Sequence, residues 1–179
     1  APITCRPFDY GAAVIVHSLT KYIGGHGTSI GGIIIDSGKF DWSTGRFPEF
    51  TDPDPRYHGL KLWDTFGNFP GVGNIAFSIK ARVHGLRNIG MAISPNNAFH
   101  FIQGFETLPL RMERHIKNAE VLATWLNDHP SIEWVNYAGF EDHPSYANCQ
   151  KYLGGNAPSV FTFGLRSGYN GGRRFIESV

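Results

Sequence analysis

Ser18, Thr20 and Lys21 bring two hydroxyl groups and an amine together within one short stretch of the chain. Serine and threonine hydroxyls donate hydrogen bonds to phosphate oxygens without adding bulk, and a lysine supplies the opposite charge. The lysine amine can also act as a nucleophile that forms a Schiff base with a carbonyl compound. The nearby glycines follow the lysine, so the Gly-x-x-x-x-Gly-Lys-Ser/Thr order of the Walker phosphate loop is absent. Residues 18–21 therefore suit an anion-binding turn, a carbonyl-binding lysine or, as the alternative, a solvated structural turn.

Two apolar runs flank this motif and must position it. Ala12–Val16 and Gly32–Asp36 are rich in β-branched residues and do not alternate with polar ones. That pattern predicts strands buried on both faces of the sheet of an α/β protein. Ligand-binding loops of such proteins follow the ends of buried strands. The connecting residues 17–31 are polar and glycine-rich, too irregular for a helix, and they allow a ligand to approach the backbone closely.

Residues 37–74 are dense in aromatic side chains and prolines and show no regular period. A structureless loop of that length is uncommon in a compact domain. We interpret it as an excursion whose rings pack on the body of the protein, on a partner subunit or over the mouth of a site. A short helical piece is expected near 57–65.

Beyond this excursion the pattern changes to helices and a few alternating strands. Helical spacing predicts helices over 75–87, 91–108, 110–129 and from 171 onward. Ser94 and Pro95 fit the N-cap and first turn of the second of these helices. The stripe expected to be buried on the third consists of Ala119, Leu122, Trp125 and Leu126. Alternation predicts strands over 131–137 and 159–165, with a loop between them.

The composition excludes several classes of protein. The 179 residues carry 16 Lys and Arg against 15 Asp and Glu, a net charge of +1, which argues against an electrostatic nucleic-acid binder. No apolar run is long enough to span a membrane. Cys5 and Cys149 form neither a disulfide framework nor a metal-binding spacing, so a reducing, cytoplasmic location is expected. The histidines are scattered, and we expect no metal site.

Residues 17–32 resemble the cofactor-lysine signature of the Cys/Met metabolism pyridoxal-phosphate (PLP) enzymes, which have the aspartate-aminotransferase fold (PLP fold type I). They read His-Ser-Leu-Thr-Lys-Tyr-Ile-Gly-Gly-His-Gly-Thr-Ser-Ile-Gly-Gly. The continuation Ile33–Trp42 is most similar to the O-acetylhomoserine sulfhydrylase subgroup of that family. Further matching segments are 93–99, 103–108, 111–115 and 129–137. The resemblance covers essentially the whole chain.

The resemblance implies an α/β fold class. Residues 1–90 would form the late part of an aspartate-aminotransferase-like large domain that binds PLP. Residues 91–179 would form a linker helix and the beginning of a C-terminal α+β small domain.

The resemblance also implies the roles of the motif residues. Lys21 would be the catalytic lysine that links covalently to PLP and, once released, moves protons between carbon atoms of the substrate. Ser18 and Thr20 would bind the cofactor phosphate. The reaction implied is a γ-replacement in which O-acetyl-L-homoserine reacts with sulfide or a thiol to give homocysteine or methionine and acetate. The alternatives are cystathionine γ-synthase, cystathionine γ-lyase or methionine γ-lyase chemistry on the same scaffold.

Family members are longer at both ends. Their remaining cofactor contacts would precede Ala1, and the arginine that binds the substrate carboxylate would follow Val179. The 179-residue chain alone is therefore expected to be an inactive fragment of such an enzyme. The whole enzyme is expected to be a homo-oligomer, a dimer of dimers in this family.

Other polar residues have simpler interpretations. His17 and His26 flank the motif, and His26 is either a cofactor contact or a structural histidine. Arg111, Arg114 and His115 lie on an amphipathic helix, where a solvated or interdomain face is a better interpretation than an anion site.

Overall fold

The computed structural model describes residues 3–179. The chain forms two compact units, one of Pro7–Gln103 and the other of Gly104–Val179 together with residues 3–6. The first unit contains residues 18–21. The second unit contains the helix predicted over 110–129, the strands predicted over 131–137 and 159–165, and the helix predicted from 171 onward. The predicted division of the whole protein at residue 90 into a cofactor domain and a small domain stays a prediction.

The first unit contains an antiparallel ribbon of two strands, β1 (Val14–Ser18) and β2 (Gly32–Asp36). The predicted burial of both strand faces is wrong for this chain, since Val16 is 70% exposed and its partner Ile34 is 57% exposed. The exposed apolar side chains of the ribbon are Val16, Ile33, Ile34 and Ile35. Successive side chains of a strand point to opposite faces, so both faces are open. Strand faces are buried by helices or sheets packed on them, and within residues 3–179 these side chains are left uncovered.

The aromatic residues of the excursion pack around Trp42. Its ring stacks against Phe50, with centroids 4.8 Å apart, and against Phe77, with centroids 5.2 Å apart. The Trp42 cluster comprises Trp42, Phe50, Leu62 and Ala76 with the partly buried Phe40, Phe47 and Phe77. The helical segments of the excursion are α1 (Pro48–Thr51), a 3-10 turn (Pro55–Tyr57) and α2 (Leu62–Phe66). The predicted helical piece within 57–65 is thus confirmed as the first part of α2.

A helical stretch follows the Trp42 cluster and turns through a short break into a longer helix. Its parts are α3 (Ala76–Lys80), a π-helical turn (Ala81–Leu86), α4 (Arg87–Ile89) and α5 (Pro95–Glu106). α4 ends at Gly90, whose φ of 81° is readily adopted by glycine. The Ser94 hydroxyl accepts a hydrogen bond of 3.2 Å from the Asn97 N–H, which confirms Ser94 as the N-cap of α5.

The second unit packs helices against a second antiparallel pair of strands. Its elements are α6 (Leu108–Asn127), β3 (Ile132–Asn136), α7 (Tyr146–Leu153), β4 (Thr162–Leu165) and α8 (Gly168–Ser178). β3 pairs with β4, as the alternation predicts. The buried cluster of this unit consists of Ala123, Tyr137, Cys149 and Ala157.

Two sequence-based expectations for the second unit are corrected. Residues between the strands are not only loop, because α7 occupies Tyr146–Leu153 and ends at Gly154 with φ 59°. Of the predicted α6 stripe, Leu122 is 48% and Trp125 is 58% exposed. The buried residues of α6 are Leu108, Met112, Ala119, Ala123 and Leu126. Leu122 and Trp125 flank that side of the helix and therefore remain open to solvent.

No helix within residues 3–179 combines the length and the apolar character that crossing a bilayer would require.

Both cysteines are free thiols, with Cys149 buried and Cys5 partly exposed. Burial raises the pKa of the Cys149 thiol above its ordinary value, so this group is inert at neutral pH.

Candidate active site

Lys21 lies in a single π-helical turn, Leu19–Ile23, that follows β1 directly. Residues 17–31 were expected to be too irregular for a helix, and this short turn is itself interrupted. The backbone leaves helical geometry at Lys21, with φ −91° and ψ −127°. The Gly24 N–H donates to the Leu19 carbonyl at 2.8 Å, and the Gly25 N–H donates to the Lys21 carbonyl at 2.8 Å. These bonds close the turn and fix the direction in which the Lys21 side chain leaves the backbone.

Gly31 fastens the turn to the start of β2. Its carbonyl accepts a hydrogen bond of 2.9 Å from the Leu19 N–H. Its N–H donates to the Thr20 hydroxyl at 3.0 Å, and that hydroxyl donates back to the Gly31 carbonyl at 3.3 Å. We call residues 19–31 the lysine loop. Its two ends are held together by the backbone and by one hydroxyl.

Ser18 and Lys21 present free polar groups beside this fastening. Both side chains are exposed, and neither has a hydrogen-bond partner among residues 3–179. Thr20 differs, because its one hydroxyl proton is shared with the Gly31 carbonyl. A hydroxyl can donate to the phosphate of a phosphorylated aldehyde, and an amine can bond to its carbonyl carbon. The residues present therefore fit PLP, with Ser18 as the better phosphate donor of the two hydroxyl residues.

α5 supplies a support for the lysine loop that the sequence did not indicate. Phe101 on α5 is 5% exposed, and its ring lies against Gly24 and Gly31. The Ser29 hydroxyl, in the same loop, donates to the Asn97 Oδ1 at 3.3 Å. The pair of glycines is visible in the sequence, but nothing in it links them to side chains about 70 residues further on.

The two histidines singled out from the sequence lie beside and within the lysine loop. His17 is half-buried in β1 opposite Ile33, and His26 is exposed between Gly25 and Gly27. Over the described part of the chain, no group of three or more His, Cys, Asp or Glu side chains is arranged to hold a metal ion.

The basic residues of α6 lie in the second unit. Arg111 donates to the Gly104 carbonyl at 2.6 Å and to the Thr107 hydroxyl at 3.0 Å, so it stabilises the end of α5. Arg114 and His115 are exposed. This arrangement suits the solvated-face interpretation rather than an anion site.

The first unit contains a second polar cluster, formed by Asp54, Arg56 and His84. Arg56 Nε donates to Asp54 Oδ1 at 3.0 Å, and His84 Nε2 lies 2.8 Å from Asp54 Oδ2. Arg56 Nη2 lies 2.9 Å from His84 Nδ1. Because arginine can only donate, Nδ1 must accept, and the proton of the neutral imidazole sits on Nε2. Burial, together with the charges of Lys80 and Arg56, lowers the pKa of His84, while Asp54 opposes that effect.

Proteins of known function match the chain along its length. A family model described as Cys/Met metabolism PLP-dependent enzyme matches residues 1–179. O-acetyl-L-homoserine sulfhydrylase of Leptospira meyeri is 52% identical over 100% of this chain. O-acetyl-L-homoserine sulfhydrylase 1 of Thermus thermophilus is 48% identical and homocysteine synthase of Schizosaccharomyces pombe is 46% identical, each over 97% of this chain. The chain spans 41%, 40% and 40% of these three relatives, about two fifths of their length.

A solved structure agrees with these matches. It is a Campylobacter jejuni protein assigned as an O-acetylhomoserine (thiol)-lyase, and it contains N'-pyridoxyl-lysine-5'-monophosphate. Its TM-score is 0.84 at 36% identity, over 93% of this chain and 40% of that chain. The match confirms the predicted α/β fold class of PLP fold type I. The family model matches this chain over its full length, and together with the structural match it shows that the chain belongs to the Cys/Met metabolism PLP-dependent enzymes.

Proposed function

We propose that the protein containing this chain is a PLP-dependent transferase that performs a γ-replacement on O-acetyl-L-homoserine. Sulfide or a thiol would be the incoming group, homocysteine or methionine the product, and acetate the leaving group. The observation that carries this proposal is the 52% identity over the whole chain to an O-acetyl-L-homoserine sulfhydrylase. The name homocysteine synthase of a second relative favours the same direction of reaction over cleavage of cystathionine or methionine. A role in methionine and homocysteine synthesis follows from the products.

We assign the binding of PLP to three residues of the lysine loop and its border. Lys21 Nζ would bond covalently to the cofactor, and the exposed Ser18 hydroxyl would donate to its phosphate. Thr20 would serve the phosphate less directly, because its hydroxyl also holds the Gly31 backbone. The pyridoxyl-lysine of the Campylobacter jejuni protein supports a lysine in this role. When bound, PLP supplies an electron sink for the substrate amino acid.

Lys21 has a second task in this proposal. Once free of the cofactor, its amine takes a proton from one substrate carbon and returns it to another, acting as general base and then as general acid. Its backbone is held by the turn, but its side chain is exposed and long and flexible enough for the amine to reach more than one atom.

We also propose a homo-oligomer, a dimer of dimers, and a cytoplasmic location. The free thiols of Cys5 and Cys149 are compatible with a reducing compartment. Size-exclusion chromatography with light scattering and localisation of a tagged protein test these two points separately.

Replacement of the lysine tests the cofactor assignment. We expect the protein to show a visible absorption band with PLP, and borohydride to attach the cofactor irreversibly to Lys21, as read by peptide mass spectrometry. Lys21→Ala should abolish the band and the attachment, and should reduce turnover by several orders of magnitude because a covalent step is lost. Lys39→Ala, which removes another exposed lysine of the same unit, is the matched control and should retain both. Attachment that persists at another lysine of the Lys21→Ala protein contradicts the assignment.

Substrate competition tests the reaction itself. The protein is expected to convert O-acetyl-L-homoserine and sulfide faster than it cleaves cystathionine or methionine. A preference for cystathionine would assign it to a sibling reaction of the same family.

A further inference from the structure

The ring of Phe101 lies against two glycines of the lysine loop, Gly24 directly after the Lys21 turn and Gly31 at the end of the loop. A Cβ built on Gly31 would lie 2.5 Å from Phe101 Cε2, and one built on Gly24 would lie 2.9 Å from Phe101 Cδ1. No real Cβ approaches another heavy atom so closely, so Gly31 must be glycine while the ring is present. Gly24 must be glycine in any case, because its Cβ would also lie 2.8 Å from the Leu19 carbonyl oxygen. The ring is 5% exposed and belongs to the same compact unit as the loop.

The two glycines that the ring touches are the ones that hold the turn of Lys21. The Gly24 N–H bonds to the Leu19 carbonyl, and the Gly31 carbonyl accepts from the Leu19 N–H. The Gly31 N–H bonds to the Thr20 hydroxyl. A displacement of either glycine is therefore transmitted through one hydrogen bond to the residues directly before Lys21.

A second contact joins α5 to the same loop. Ser29 is 8% exposed, and its hydroxyl donates to Asn97 Oδ1, one helical turn before Phe101. The Asn97 backbone is itself fixed by the Ser94 cap. α5 thus contacts the loop at both glycines and at its one buried hydroxyl.

We propose that Phe101 is a positioning residue whose ring holds Gly24 and Gly31 so that the turn Leu19–Ile23 presents Lys21 in a single orientation. Asn97 assists it by fixing Ser29. The proposal rests on the proposed role of Lys21, but the packing that it describes exists without the cofactor. A dense interior allows such a ring to define the position of the backbone beside it.

A double-mutant cycle separates this role from ordinary burial. Gly31→Ala adds a methyl whose near neighbours are all side-chain atoms of Phe101 and Ile93, and Gly31 does not have a positive φ. The substitution is therefore expected to displace the loop only while the ring is in place. Phe101→Ala removes the ring and leaves the loop loose. The double variant places the new methyl in the space that the ring vacates, and it should recover part of what each single change loses.

The full protein is the material for three measurements. Hydrogen exchange of residues 19–31 in the cofactor-free protein should rise in each single variant and fall again in the double variant. The fraction of Lys21 trapped by borohydride and kcat should follow the same order. We expect kcat to fall by up to about 100-fold in the single variants and KM to change little, since misplacement of a reacting group costs rate rather than affinity.

Two further variants keep the test decisive. Phe99→Ala removes an exposed ring, 57% exposed, from the same helix and should resemble the unchanged protein in all three measurements. Phe101→Leu keeps an apolar side chain in the space and should retain folding if Phe101→Ala does not, with an intermediate rise in exchange of the loop.

The outcomes distinguish the two proposals. The role of the ring would be refuted if the losses of Lys21 trapping and kcat in the double variant equalled the product of the losses in the two single variants. It would also be refuted if hydrogen exchange of residues 19–31 were unchanged in Phe101→Leu and Phe101→Ala. Absence of trapping at Lys21 in the unchanged protein would instead refute the proposed function, whereas the exchange cycle would still show whether the ring positions the turn.

Discussion

The Trp42 cluster and the lysine loop belong to the same compact unit, yet they are held in different ways. The cluster consists mainly of aromatic rings that pack against one another, and Trp42, Phe50 and Leu62 are each at most 8% exposed. The lysine loop is held by backbone hydrogen bonds at its ends, while most of its middle is open to solvent. Burial of apolar surface dominates folding free energy, so the cluster should carry stability. The loop should carry chemistry, because its reactive side chains remain accessible.

The largest effect is expected in the Trp42 cluster. Trp42→Ala should lower the free energy of unfolding by about 3–5 kcal/mol, because it leaves a cavity between Phe50 and Phe77. Chemical denaturation followed by circular dichroism measures this change. A loss below about 1 kcal/mol would show that the stacked rings do not stabilise the unit, and the contrast with the loop would fail.

Trp42→Phe is the matched control. The indole Nε1 of Trp42 is buried and has no hydrogen-bond partner within residues 3–179. A phenyl ring removes this unsatisfied donor, whose burial carries a cost, and retains most of the stacking. We therefore expect Trp42→Phe to cost far less than Trp42→Ala, about 1.5 kcal/mol or less.

A smaller effect should separate the two hydroxyl residues of the loop region. Thr20→Val leaves the Gly31 N–H without its acceptor at 3.0 Å, which should destabilise the protein by about 1–3 kcal/mol. Ser18→Ala should change stability by less than about 0.5 kcal/mol, since its side chain is exposed. PLP titration should rank the two variants in the opposite order. Ser18→Ala should weaken PLP binding more than Thr20→Val, by about tenfold, through loss of a hydrogen bond to the phosphate. Equal effects on stability would contradict the different roles assigned to them.

The smallest effect is a pH dependence that arises beside the Trp42 cluster rather than in the loop. His84 has a pKa below its ordinary value of 6.5, chiefly because of burial and then because of Lys80 and Arg56. The unfolded chain therefore takes up the proton first as the pH falls. Stability should be full above pH 6.5 and should decline below it, until the pKa of the folded state is passed.

Asp54 adds a second, more acidic step. The hydrogen bond from Arg56 lowers the pKa of its carboxyl below the ordinary 3.8, so its contribution is present above pH 3.8 and is lost as the pH falls through the lower value of the folded state. Denaturation midpoints measured from pH 8 downward should reveal both steps. His84→Gln should remove the first step and keep the second. An unchanged slope just below pH 6.5 in that variant would rule out His84 as its source.

Local signals predicted much of the secondary structure. Gly32–Asp36 was predicted to the residue as β2, because a short run of β-branched residues after glycines favours a strand. The Ser94 cap and Pro95 marked the start of α5, since capping and proline effects act within one turn. α7 was missed because it is only eight residues long and has a single buried residue, Cys149.

Burial and support could not be predicted in the same way. The exposure of Ile34 depends on what packs against the face of the ribbon, and the pattern of residues within β2 contains no information about that. The motif at Ser18, Thr20 and Lys21 was recognisable, because its chemistry is carried by adjacent residues. The role of Phe101 was not, since it depends on a contact across about 70 residues, and Thr20 proved to bond the Gly31 backbone, which only the folded loop reveals.

The ribbon of β1 and β2 has a consequence for the handling of the isolated chain. Val16 and Ile34 pair across it and are both more than half exposed, and β2 has a free edge within residues 3–179. A strand that is apolar, β-branched and unpaired on one side is a template for association with other copies. Until another surface covers the ribbon, during synthesis or after purification, we expect the chain to self-associate through it. Aggregation should therefore increase with protein concentration under conditions in which the chain is still folded.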